Sequence, residues 1–307
     1  MYKVPDKNEL VVILGPTASG KTNLATGLAA QTNGAIISAD SRQVYRGMDV
    51  GTGKDLNEYI IDGKSIPYYL IDIVNAGEKY NLARFQADFW EAKKEIETMH
   101  KLPILCGGTG LYIQSVLSDF WQTQVPENPE LRETLRELTK EELVKISESK
   151  TQKLNLDTST VKRLIRGIEI QTFLESNAIN EMPFNTMKYK IFGLNPEVEL
   201  RRNRISKRLN ERLEKQGMIA EVEGLLAQGI SAEDLIYYGL EYKYITLFLT
   251  KVMDYEAMCI KLETEIHRYA KRQMTFFRSL EKKGFEIDWI PDHLTTEQKI
   301  KYVIEKI

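Results

Sequence analysis

The feature that most constrains this chain is a junction. Five apolar residues, Leu10-Val11-Val12-Ile13-Leu14, run straight into Gly15-Pro16-Thr17-Ala18-Ser19-Gly20-Lys21-Thr22. A short apolar run bounded by turn residues reads as a buried strand, and Lys21–Gln31 reads as the helix that follows. Glycines at 15 and 20 permit the tight path that turns successive N–H groups and the helix N-terminus toward one anion. Lys21 adds a full positive charge, and the Thr22 hydroxyl can hold a magnesium ion that bridges phosphate oxygens. Strand, loop and helix stand in the required order, so the loop is read as a phosphate grip. Most loops of this pattern serve nucleotides such as ATP. A phosphoryl-transfer enzyme would also need an apolar strand that ends in aspartate to complete its magnesium site. Only Tyr69-Leu70-Ile71-Asp72 offers that pattern, whereas the strand Pro103–Cys106 ends in Gly107-Gly108-Thr109 with no acid.

Strand-like and helix-like stretches alternate through the first part. Ala35–Ser38, Tyr68–Val74 and Pro103–Cys106 read as further strands. Leu82–His100 and Leu111–Leu117 read as helices, the first with Phe85, Phe89 and Ile96 on one face. Such repetition predicts a parallel sheet with helices on both faces, with ligands at the carboxyl ends of the strands. The grammar changes at the turn-rich QTQVPENP stretch, 122–129. From Glu130 to about Ile179 the chain is charged and helical, with 131–146 as an amphipathic piece. Gly193-Leu194-Asn195-Pro196 restores the strand-then-turn pattern. The expected organisation is therefore a core of 1–122 and 186–307 with an inserted helical lobe at 123–185. Long helices are expected at Glu197–Gly217, Met218–Gln228 and Tyr255–Gly284.

Composition excludes several classes. With 42% hydrophobic and 28% charged residues among 307, the chain can bury a core beneath a soluble surface. No apolar segment approaches the roughly 20 residues of a membrane span, and no basic head precedes a long apolar run. Its two cysteines, Cys106 and Cys259, supply neither a disulfide framework nor a zinc cluster, and are expected to be buried thiols of a cytoplasmic protein. Net charge is −2, so the distribution of charge matters more than its sum. Basic stretches occur at 201–208, at 267–278 with interleaved aromatics, and at Lys162, Arg163 and Arg166. Each alone reads as a solvated helix face, and together they suggest a polyanion-binding surface. Asp40 stands at the end of the strand after the phosphate-loop helix, facing the same crevice as Lys21. There it can bind metal, take a proton, or cap the following turn.

GPTASGKT, IISADSRQVYRGMDVGT, GGTGLY and AKRQMTFFR, in that order, resemble the tRNA dimethylallyltransferases of the shorter, bacterial type. NPELR (128–132) and KRLIRGIE (162–169) resemble that family's inserted lobe. The resemblance spans about 10 to about 280 and implies a P-loop-type α/β core. It further implies transfer of a dimethylallyl group from dimethylallyl diphosphate to N6 of the adenosine just 3′ of the anticodon. Asp40 matches the family's base and Thr109 the threonine that positions phosphates and base. Gly15, Thr17, Ala18, Ser19, Gly20, Lys21 and Thr22 match the diphosphate grip, with magnesium on Thr22. Asp40, Ser41, Arg42, Gln43, Thr109, Arg132 and the run Lys162, Arg163, Leu164, Ile165, Arg166 match tRNA-contacting positions. The expected partners are a tRNA anticodon stem-loop and dimethylallyl diphosphate, with no membrane, and the expected state is a monomer.

The chain departs from the family pattern at Gly239-Leu240-Glu241-Tyr242-Lys243. Lys243 can stand in for the cation on the diphosphate, as a point charge rather than a fork, and Glu241 replaces an expected glycine. His267 stands where arginine is usual, and Tyr68-Tyr69 where paired histidines are common. Three rival readings stay open: a transferase acting on free adenine nucleotides, a small-molecule kinase, and an RNA-binding protein with a vestigial site.

Overall fold

A computed structural model describes residues 9–152, 154, 158–177 and 187–307. It divides into two compact units, Met1–Leu117 with Met187–Ile307, and Ser118–Thr186. The expected end of the lobe, 179–185, lies outside the described residues.

The larger unit is built on a six-stranded sheet in which every adjacent pair runs parallel. Its spatial order is Ile287–Trp289, Lys188–Gly193, Glu9–Leu14, Leu102–Gly107, Gly34–Ser38, Tyr68–Tyr69. The central strands are almost wholly apolar between their ends because both faces are covered, and alternate residues supply two separate cores. Leu10, Val12, Ala35, Ile37 and Leu105 pack with Phe85, Phe89 and Ile96 of helix Leu82–Thr98 and with Phe277 of helix Tyr255–Lys282. On the other face Val11, Ile13, Ile36, Ile104 and Phe192 meet Leu24 and Leu28 of helix Lys21–Thr32. Ile300 and Val303 of helix Thr296–Ile304 close that side. The phosphate loop thus leaves the carboxyl end of a strand flanked on both sides, where the backbone is held most firmly.

Tyr68–Val74 is not one strand. Only Tyr68–Tyr69 joins the sheet, and Val74–Asn75 pairs instead with Tyr45–Arg46. Leu70 and Asp72 between them adopt left-handed backbone, with φ of 62° and 57°. This detour delivers the Asp72 carboxylate to the buried Lys54 ammonium, which also holds Tyr45 O and Asp49 Oδ1, each at 2.6 Å. A buried ammonium without such oxygens would be prohibitively costly, and satisfying it overrides the strand propensity of the sequence.

The smaller unit contains helices Pro129–Arg136, Lys140–Ser149 and Val161–Ser176 around Leu135, Leu143, Leu164, Ile165 and Ile168. The amphipathic piece expected over 131–146 is two helices. Thr139 and Glu142 form a reciprocal capping box that starts the second. The unit begins at Ser118 because the Arg166 guanidinium donates to the carbonyls of Gln122 (2.9 Å) and Val125 (2.7 Å), tying the connecting stretch to the helices.

Candidate active site

The loop after Leu14 turns through left-handed backbone at Ala18 and Gly20, with φ of 60° and 84°. Gly15 is needed for space: a Cβ there would lie 2.6 Å from Ser19 Oγ and 3.1 Å from Leu194 O. Gly20 is needed for its φ, since nothing lies within 4 Å of its missing side chain. No side chain caps the helix that begins at Lys21, so its first amides stay directed into the loop. The Ser19 hydroxyl is buried with no hydrogen-bond partner among the described residues. An unsatisfied buried hydroxyl next to the uncapped start of this helix fits a bound phosphate oxygen.

Three further segments converge on this loop. The Thr109 amide donates to Ala39 O (3.1 Å), and the Thr109 hydroxyl accepts the Ser41 amide (3.1 Å). Gly107 makes this approach possible, because a Cβ there would sit 2.2 Å from Ala39 O. Asp40 and Thr109, far apart in sequence, are thereby fixed beside one another. Asp40 Oδ1 accepts the Arg42 amide at 2.9 Å, so the turn-capping role is real. It occupies one carboxylate oxygen, and Asp40 also lines the adjoining cavity. The two roles coexist.

That cavity, of about 420 Å³, is lined on one side by Thr17, Asp40, Ser41 and Arg42, and on the other by Gly239–Lys243, Tyr269 and Arg272. Arg42 lies 5.7 Å from the Tyr237 ring and Lys243 5.3 Å from the Tyr244 ring. Gln43 is engaged internally, accepting from Ser38 and donating to Gly53 O, both at 3.1 Å. Glu241, the departure from glycine, has its carboxyl pushed up by burial, with Arg212 pulling the other way. Arg212 is tied to Asp55 at 3.1 Å, and Arg208 binds the same carboxylate. The Glu58 carboxyl nearby is raised by burial and by Asp55, against the pull of Arg208 and Lys21. The floor of the site is thus a balanced mixture of charge rather than a uniformly basic funnel.

Two residues given no role by the sequence reading organise the site. Gln273 on the long helix accepts the Thr17 amide (2.9 Å) and donates to Gly108 O (3.0 Å), clamping both glycine loops. A polar residue within the buried stripe Ile266, Ala270, Met274, Phe277 was the available signal. The Glu221 carboxylate accepts the amides of Asp49, Val50 and Gly51 (2.8, 2.7 and 3.0 Å) and the Tyr242 hydroxyl (2.6 Å). It thereby joins the two walls of the cavity. No spacing pattern marks Glu221 in advance.

Asp72, the one candidate for a strand-terminal magnesium acid, is committed to Lys54 instead. Among the described residues no three His, Cys, Asp or Glu side chains cluster to hold a metal. Cys106 is buried, with its thiol pushed up to about 12 by burial, while Cys259 is only half-buried. In the smaller unit, Arg132 and Arg166 converge on the buried Glu169 carboxylate, and Arg132 also pairs with Glu127 at 2.7 Å. Leu164 and Ile165 belong to that unit's core, whereas Lys162 and Arg163 are exposed.

A parallel α/β sheet with this loop at its carboxyl edge places the chain in the class of P-loop-type transferases. Its family is narrower. The family model described as IPP transferase matches residues 43–280, and that described as isopentenyl transferase matches residues 8–74. The chain belongs to the IPP transferase family. It is 52% identical over 300 residues to tRNA dimethylallyltransferase 2 of Bacteroides fragilis, covering 97% of this chain and 98% of that one. To tRNA dimethylallyltransferase 1 of Azobacteroides pseudotrichonymphae it is 56% identical over 286 residues, 92% of each. The solved full-length tRNA isopentenylpyrophosphate transferase of Bacillus halodurans aligns with a TM-score of 0.70 at 30% identity, covering 97% and 95% of the two chains. A eukaryotic dimethylallyltransferase acting on tRNA, 23% identical with a TM-score of 0.74 over 92% of this chain and 73% of that one, shares the fold.

Proposed function

We propose that this chain transfers the dimethylallyl group of dimethylallyl diphosphate to N6 of the adenosine just 3′ of the anticodon in tRNA. The observation that carries the reading is Asp40 on the wall of the cavity beside the phosphate loop, held next to Thr109 by the bonds that Thr109 makes to Ala39 and Ser41 on either side of it. The N6 lone pair is delocalised into the adenine ring, so attack benefits from a base. In the reaction N6 bonds to the allylic carbon, and the carbon–oxygen bond breaks with its electron pair leaving on diphosphate. The N6 proton passes to the oxygen of Asp40 that does not cap Arg42. Loop amides, the Ser19 hydroxyl and Lys21 stabilise the charge developing on the leaving group, with Lys243 on the opposite wall.

One hydroxyl at Thr22 and no cage of acids suits a magnesium ion that keeps waters and takes its remaining ligands from substrate phosphates. Such an ion would neutralise the departing diphosphate. To reach a recessed site the adenine leaves its stack, at a cost of roughly a few kcal/mol, least in a single-stranded loop. Lys162 and Arg163, exposed on the lobe, are assigned to the RNA. Arg132 and Arg166 serve it through Glu169, by holding the helix that presents them. The reading includes a monomer acting in the cytoplasm. No helix among the described residues is long and apolar enough to cross a membrane.

The rival acting on free adenine nucleotides has no use for the lobe, and the kinase reading loses its metal acid at Asp72. Incubation with dimethylallyl diphosphate, magnesium and unmodified tRNA, with AMP or ATP as parallel acceptor, separates the readings by mass spectrometry of nucleosides. Prenylated adenosine from tRNA alone is expected. Product from the free nucleotide alone would transfer the assignment to the rival.

A further inference from the structure

The two basic stretches at 201–208 and 267–278 meet across a second groove, apart from the cavity at Asp40. Its volume is about 650 Å³, and Ile205, Ala270 and Met274 form an apolar floor beneath Arg201, Lys271 and Arg278. Arg201 is the unusual member. It is only 8% exposed, yet its guanidinium has no hydrogen bond or ion pair among the described residues. Lys271 and Arg278 likewise have no acidic partner among them, although Arg202 and Arg268 on the rim are paired with Glu199 and Glu265. Glu197 is the one carboxylate among the residues lining the groove, and it forms no ion pair with these cations. Burial, and the like charge of Arg278, push the Arg201 guanidinium down from its ordinary value.

An arginine whose stem is buried and whose guanidinium opens onto the groove, next to a second cation and without a counter-charge, leaves positive charge unbalanced in the free protein. Half-buried arginines elsewhere in the molecule are not treated this way: Arg212 has Asp55, and Arg132 has Glu169. The missing partner is an oxyanion, and the guanidinium fork matches phosphate geometry in particular. We propose that this groove is a second anion site, separate from the phosphate loop, that takes a backbone phosphate of the bound RNA. The proposal rests on the tRNA reading above. Its three unpaired cations would fix the register of the strand without reading sequence, as phosphate contacts do.

The test is tRNA binding by the full chain across a salt series, for R201M and for K271Q/R278Q. K94Q/K301Q, which removes two exposed charges elsewhere on the same unit, is the control. Both groove variants should bind tRNA about three- to tenfold more weakly near 0.1 M salt. They should also lower the slope of log K against log salt by ~0.7–1 for each phosphate no longer held, with the control unmoved. R201M should melt no earlier than wild type, because no hydrogen bond or ion pair is lost and the repulsion with Arg278 is relieved. An earlier melt would make the guanidinium structural and overturn the proposal, and so would groove variants with the control's slope. Inorganic phosphate supplies the remaining arm. If it raises the wild-type melting temperature through Arg201 and Arg278 while the RNA slope stays unchanged, the groove serves free phosphate and the RNA assignment fails. Binding is read directly, so a chain that binds tRNA through this groove yet forms no prenylated product would contradict the functional reading alone.

Discussion

Gln273 holds the Thr17 amide with its carboxamide oxygen, 2.9 Å away, and with its nitrogen holds the carbonyl of Gly108. One buried side chain on a C-terminal helix therefore sets the distance between the phosphate loop and the loop that carries Thr109. Gln273→Glu removes the donor and places an acid 7% exposed beside the phosphate site. The expected result is a fall in kcat/KM of about 10²-fold, mostly through KM for the diphosphate donor, since a ~1 Å misplacement can cost that much. An unchanged KM with lowered kcat would move the role of Gln273 from binding to chemistry.

Glu221 is expected to act on the shape of the cavity rather than on the reaction. Glu221→Gln retains bulk but cannot accept three amides and a hydroxyl with full charge. Charge-assisted hydrogen bonds are worth about 1.5–3 kcal/mol each and are not additive, so a loss of about 2 kcal/mol of stability is expected by denaturant titration. Tyr242→Phe, which removes one donor and keeps the ring against Gly51, should cost less, about 1 kcal/mol. Equal losses would show that the hydroxyl is the main contact.

The smaller unit should respond to acid through Glu169. Burial opposes its ionisation, but the Asn128 amide and the guanidinium groups of Arg166 and Arg132 outweigh that and hold its carboxyl below the ordinary 4.5. A carboxyl depressed in the folded state contributes stability that is complete above its unfolded value and is lost as pH falls through the folded value. Unfolding of the lobe, followed by hydrogen exchange of helix Val161–Ser176, should steepen below about 4.5. In Glu169→Gln that acid sensitivity should be weaker. A Gln variant with the wild-type acid profile would assign the effect to other carboxylates.

Much of the core was legible because burial on both faces leaves an unambiguous record: Leu10–Leu14, Ala35–Ile37 and Pro103–Cys106 are apolar throughout and sit where expected. Tyr68–Val74 carried the same signal and failed. Nothing local shows that Lys54, in a loop, will be buried and will pull Asp72 out of line. The edge strand Ile287–Trp289 is too short for periodicity, and its pairing with Lys188–Gly193 exists only in three dimensions. At the site, Lys21, Thr22 and Thr109 announce themselves by glycine-rich context, and Asp40 by its place at the end of a strand. Gln273, Glu221 and Arg201 act through long-range partners, or through the lack of one, and the motif around Gln273 and the basic run around Arg201 do not single out either residue.

The central claim is that Asp40 takes the N6 proton in a carbon-transfer reaction on tRNA. Asp40→Asn tests it with little structural disturbance, because the asparagine oxygen can still accept the Arg42 amide. The measurement is single-turnover formation of prenylated adenosine in tRNA, together with tRNA affinity, for wild type and variant. The account predicts a rate lower by about 10²–10⁴-fold, the usual worth of a general base, with affinity changed less than about twofold. A variant that keeps its rate, or that loses rate and affinity in equal measure, would contradict it.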